Sequence, residues 1–157
     1  MAASAELAFK EASDSGSLLG GEKISVVRAD STCVDSAVAT AVAEGVVAQG
    51  VVAIMGADCP GVTSAIASDV AVPNGVVMIS PSATSPGLTT LEDKGYFFRT
   101  APSDARGGQI LADITKDRKV KSVAITYTNN DYGQGLADVY KAAVEAHGIK
   151  VTTVKAH

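Results

Sequence analysis

The chain has 157 residues, 46% hydrophobic and 19% charged, a balance that supports a packed domain and excludes a disordered tail. Thirteen Lys and Arg against seventeen Asp and Glu leave a formal net charge of -4, so no sequence-wide positive field exists to hold nucleic acid. Apolar runs such as Val51 to Met55 and Val76 to Ile79 fall far short of the about 18 residues a bilayer-spanning helix needs. Residues Met1 to Lys10 lack a basic start, an apolar core and a small-residue cleavage site, so any export signal is expected to have been removed upstream.

Ala2 to Ala12 interleaves Ala5, Leu7, Ala8, Phe9 and Ala12 with Glu6, Lys10 and Glu11, and reads as an amphipathic helix. Lys23 to Arg28 alternates, then runs apolar after the Gly20-Gly21 turn, and reads as a strand. Val34 to Ala48 repeats Ala and Val at helical spacing despite Gly45. Val51 to Met55 has the all-apolar character of a strand buried on both faces of a parallel sheet. Val62 to Val70 is the next expected helix, closed by Pro73-Asn74-Gly75, and Val76 to Ile79 the next strand. Ser80 to Thr90 is a polar loop and Tyr96 to Arg99 a short extended piece. The spacing then predicts a helix over Ala105 to Arg118 with Ile110, Leu111 and Ile114 inward. A strand over Ser122 to Tyr127, a helix over Gly133 to His147 and a strand from Lys150 to Val154 follow.

This alternation predicts an α/β fold with a doubly wound, mostly parallel sheet, and the many small residues let helices lie close on it. A helix comes first, where such a sheet normally starts with its central strand, and no covering helix follows the last strand. Residues 1–157 are therefore expected to be part of a longer protein, with the first strand missing. Functional loops of such sheets lie at the carboxyl ends of strands, which selects Gly56 to Thr63, Ser80 to Pro86 and Thr128 to Gly135. The chain has no G-x-G-x-x-G, no G-x-x-x-x-G-K-[ST] and no G-x-S-x-G, which argues against a nucleotide site or a standard hydrolase. Two Cys and two His, at positions 33, 59, 147 and 157, lack paired ligand spacing, so neither a metal nor another cofactor is expected.

Four segments carry a resemblance. Gly56-Ala57-Asp58-Cys59-Pro60-Gly61-Val62-Thr63, Val77 through Thr89 with its Ile-Ser-Pro-Ser-Ala-Thr core, Phe98-Arg99-Thr100, and Asp131-Tyr132-Gly133-Gln134-Gly135 occur in order. They resemble type I periplasmic substrate-binding proteins, in particular the branched-chain amino-acid receptors of ABC importers. The resemblance runs from Ala5 to about Val154 and implies a flavodoxin-like lobe of a two-lobed periplasmic receptor. That receptor closes on an amino acid and hands it to an ABC permease. It further implies that residues 1–157 form most of the amino-terminal lobe. In the family, a Ser after the Cys meets the ligand carboxylate, the Ser-Pro-x-Ala-Thr loop grips carboxylate and ammonium, and a Tyr before Gly-x-Gly packs near the ligand. These positions are Pro60, Ser82 with Ala83 and Thr84, and Tyr132.

Pro60 departs from the pattern: it has neither hydroxyl nor N–H, so the contact is lost or passes to the Gly61 amide. Read without the resemblance, Ser82 and Thr84 are loop caps, Pro60 and Gly61 a turn, and Tyr132 surface packing. The family often joins cysteines matching Cys33 and Cys59, and a disulfide there fits an oxidising periplasm. Two free thiols, or Cys59 acting as the nucleophile of an enzyme at a strand-to-helix turn, are the other readings. Asp58 follows a strand as a phospho-acceptor would, yet the acidic residues needed with it are absent, and a plain loop carboxylate is the simpler reading. Lys116-Asp117-Arg118-Lys119 reads as a solvated helix end. A sheet edge left open by a missing strand would invite self-association.

Overall fold

The computed structural model describes residues Met1–His157. Helix α1 spans Ala2–Asp14. Helix α2 covers Ser36–Val47, started by Asp35, whose side chain accepts from Val38 N. Strand β1 (Ala53–Met55) leads into α3 (Pro60–Ile66), which continues as one wider π-helical turn, Ala67–Ala71. Strand β2 (Val77–Ser80), a 3₁₀ turn (Pro86–Thr90) and strand β3 (Phe97–Arg99) follow. The remainder is α4 (Asp104–Asp117), β4 (Ser122–Tyr127), α5 (Asp131–Ala146) and β5 (Lys150–Ala156). No helix is long and apolar enough to cross a membrane.

The α/β class with parallel strands holds, but the strands form two sheets where one was expected. One sheet has the order β1-β2-β3 and the other pairs β4 with β5, all parallel. Each has its own core. Twelve buried residues, among them Val62, Ile66, Val70, Met78 and Phe97, pack around the first sheet, whereas Ala112, Val144 and Ile149 form the second cluster.

Three further expectations are corrected. Lys23 to Arg28 forms no strand: no sheet strand pairs with it, and its links are Ser13 Oγ to the Ile24 amide (3.0 Å) and an ion pair of Arg28 with Glu6. The Val51 to Met55 strand is an edge, not buried on both faces, because β1 pairs with β2 alone and Met55 is 43% exposed. On α4 the inward residues are Gly108, Ala112 and Thr115, while Ile110, Leu111 and Ile114 are each more than 40% exposed. Small residues bring α4 close to α5, where Thr115 Oγ1 and Tyr140 Oη lie 2.9 Å apart, and the larger side chains turn to solvent.

Candidate functional site

The carboxyl ends of β1 and β2 build one wall. After β1 the chain turns through Gly56 to Cys59, and buried Pro60 opens α3, where its fixed φ suits a first helical position. Cys59 is joined to Cys33, with Cα atoms 5.3 Å apart. This disulfide ties the irregular segment before α2 to the start of α3. It also removes both free-thiol readings, since neither sulfur is left to ionise and attack.

Ser80, fully buried at the end of β2, donates to Ala57 O at 2.6 Å and accepts from Ala83 N at 3.1 Å, so it clamps the two loops together. Ser82 and Thr84 are half-buried, and Ala83 is fully buried beneath them. Ser82 Oγ donates to the Asp58 carboxylate and lies 3.2 Å from the Asp58 main-chain oxygen and 3.5 Å from Met1 Sδ. Thr84 Oγ1 donates to Asp104 Oδ2 at 2.7 Å, and the Asp104 amide returns a bond to Thr84 O at 2.9 Å. Arg99 holds the loop from behind, donating to Ser85 O at 2.7 Å and to Thr89 Oγ1 at 2.5 Å.

The opposite wall comes from the second sheet. Beyond β4, Asn130 caps α5 by accepting from Gly133 N at 2.9 Å, and this places Asp131 and Tyr132 in the first helical turn. Tyr132 is 47% exposed. A Cβ on Gly133 would lie 2.2 Å from Thr128 O, so only glycine lets the helix start this tightly after the loop. A Cβ on Gly61 would lie 2.8 Å from Asp131 Oδ2, which marks where the two walls meet.

Between the walls lies a cavity of about 600 Å³, within the size range of small-molecule sites. Gly61, Ser82, Thr84 and Tyr132 line it, together with Pro60, Asp58, Asp104, Asn129, Asn130 and Asp131. Of the residues singled out in the sequence, Ala83 alone is not part of the lining, being covered by its neighbours. The lining carries three carboxylates and no Lys, Arg or His. Ligand atoms of Cys33, Asp58 and Cys59 fall within 4.8 Å of one another, but the two sulfurs are spent on each other and leave a single carboxylate. The parts of Asp58, Asp104 and Asn130 were missed in the sequence. The only signal was their place just beyond a strand or just before a helix.

A family model described as the receptor family ligand binding region matches residues 1–156. The chain belongs to this family. It is a type I periplasmic binding protein, as the Ser-Pro-x-Ala-Thr and Asp-Tyr-Gly-x-Gly segments implied. It is 36% identical over 152 residues to the leucine-, isoleucine-, valine-, threonine-, and alanine-binding protein of Pseudomonas aeruginosa, covering 95% of this chain and 39% of that one. It is 39% identical over 110 residues to Leu/Ile/Val-binding protein homolog 3 of Brucella melitensis, covering 68% and 29%. An ABC transporter substrate-binding protein from Desulfitobacterium hafniense, solved in complex with Leu, superposes with a TM-score of 0.79 at 30% identity. That match covers 97% of this chain and 44% of the other. This periplasmic binding protein chain thus spans about two fifths of the length of such relatives.

Proposed function

We propose that the chain contributes the ligand-holding cleft of a periplasmic receptor that binds an aliphatic amino acid and delivers it to an ABC permease, without catalysing a reaction. The observation that carries this reading is the cavity of about 600 Å³ that Gly61, Ser82 and Thr84 line from one side and Tyr132 from the other. Relatives named for leucine, isoleucine and valine binding support the ligand class. Because the two walls come from different sheets, we assign them to two lobes rather than one. A ligand touching both walls favours the closed arrangement by its differential contacts, which is how such a receptor reports occupancy.

An amide NMR titration with leucine, isoleucine and valine tests the proposal, because it detects millimolar binding and localises it. Saturable shifts confined to the Gly61, Ser82 to Thr84 and Tyr132 regions are the expected result. Shifts elsewhere, or none with any amino acid, would overturn it.

A further inference from the structure

The two walls touch outside the ligand cavity as well as across it. Helix α5 packs against α3 and against the Pro86–Thr90 turn, so its first turns bridge from the second sheet's layer to the first. At both places a glycine faces the other wall: Gly61 of α3 faces the Asp131 carboxylate, and Gly135 of α5 faces Ser85 and Pro86. A Cβ on Gly135 would lie 3.3 Å from Ser85 Oγ and 3.2 Å from Pro86 Cδ, closer than the about 3.5–4.0 Å at which non-bonded carbons rest.

These contacts are not equally stiff. Asp131 can turn its carboxylate away from a Cβ on Gly61, and Ser85 can rotate its hydroxyl, which accepts only a 3.4 Å bond from the Gly87 amide. The Pro86 ring cannot turn, because its closure fixes φ, and it occupies the first position of the 3₁₀ turn. Gly135 against Pro86 is therefore the rigid stop between the walls. Little else backs it: beside it lies a second cavity, of about 430 Å³, lined by Ser64 and Leu88 of one wall and by Gln134, Asp138 and Val139 of the other. A methyl added to a point contact next to open space acts on the spacing of the walls.

Resting on the reading of the cleft as an amino-acid site, we infer that Gly135 is a positioning residue. Its missing side chain lets α5 close onto Pro86, and this sets the distance from the Ser82 to Thr84 wall to Tyr132. Gly135 does not line the ligand cavity, so it acts on a ligand only through that spacing. Gly135→Ala has two opposed effects. Within α5 alanine is the better helix former, whereas at the seam its methyl meets Pro86. A role confined to the helix predicts a firmer α5 and unchanged binding, and a role in the seam predicts weaker binding by a chain whose α5 is intact.

Residual dipolar couplings of the ligand-free chain report the relative orientation of the two sheets, and an amide NMR titration with leucine reports the cleft. In the unaltered chain one alignment should fit both sheets. In Gly135→Ala the couplings of β4 and α5 should depart from that alignment, and leucine should bind about fivefold or more weakly, the effect of one overpacked methyl. Adding Pro86→Ala removes the ring carbon that the methyl meets and should recover both readouts. Two alignments in the unaltered chain, couplings that do not move in Gly135→Ala, leucine binding that is measurable and does not weaken, or a double variant that fails to recover would each overturn the inference. If the unaltered chain does not bind leucine while the couplings move and recover, the spacing role stands and the amino-acid reading of the cleft alone falls.

Discussion

Thr63 and Ser80 are both fully buried hydroxyl residues in the first sheet's layer, and their surroundings predict opposite effects on stability. Thr63 Oγ1 has no hydrogen-bond partner, and a buried polar group left in that state costs about 1–3 kcal/mol. Thr63→Val replaces the hydroxyl by a methyl of similar shape and should raise the unfolding free energy by about 1 kcal/mol. Chemical denaturation would show a higher midpoint at unchanged slope, and a lower midpoint would mean that the hydroxyl is satisfied. Ser80→Ala should instead lose about 1–3 kcal/mol, because it strips a bond from Ala57 O and from Ala83 N together. The Ser-Pro-x-Ala-Thr segment was legible as a loop at the carboxyl end of a strand, where it lines the cleft. Its division of labour was not, since Ser80, Ser82 and Thr84 are alike in sequence. Only the burial of Ser80 under Ala57 separates a clamp from the two hydroxyls that line the cleft.

Elements were legible to within a few residues wherever local periodicity decides them, as in α2, α4, α5 and β4. Lys23 to Arg28 shows the limit: alternation specifies extended backbone, but a strand also needs a partner, which no local pattern contains. The disulfide that follows that stretch and the Arg28–Glu6 ion pair at its end are two links, and each gives a prediction. The Cys33–Cys59 bond closes a loop of 26 residues, so replacing both cysteines by alanine should cost about 3.5 kcal/mol in denaturant unfolding. An unchanged midpoint would show that the bond constrains nothing in the unfolded chain. The second link is the Arg28 guanidinium, whose hydrogen bond holds the Glu6 carboxyl below its ordinary value of 4.5. A carboxyl depressed on folding contributes stability above its unfolded pKa and loses it as pH falls through the folded one. The Arg28–Glu6 pair should therefore be lost as pH falls below 4.5 and through the depressed folded value, seen as a titrating shift of the Arg28 side-chain Nε–H resonance. A resonance that does not move through the acid titration would mean that the pair anchors nothing.

At the scale of the molecule, strict alternation of helix and strand fits one doubly wound sheet or two smaller parallel sheets equally well. Each βα unit is built from local signals, and none of them says which strand its neighbour will be. The chain leaves the first sheet at Arg99, enters α4 at Asp104 and forms a separate β4-β5 pair. The cleft lies across that crossing, with Ser82 and Thr84 lining it from the carboxyl end of one sheet and Tyr132 from that of the other. The crossing also divides stability unequally. A cluster of twelve buried residues packs around the first sheet and one of three, with Ile125 and Ala137 buried beside it, around the second, and a two-stranded sheet depends on its helices for what protection it has. Native-state hydrogen exchange should accordingly find the amides of Ala124 to Thr126 in β4 opening at least about tenfold more readily than those of Met78 and Ile79 in β2. Equal protection across both sheets would mean that they open as one cooperative unit and that the contacts of α5 with α3 and the Pro86–Thr90 turn couple them. Leucine should narrow the difference if it bridges the walls, since a ligand bound only to the joined arrangement stabilises the weaker sheet by mass action.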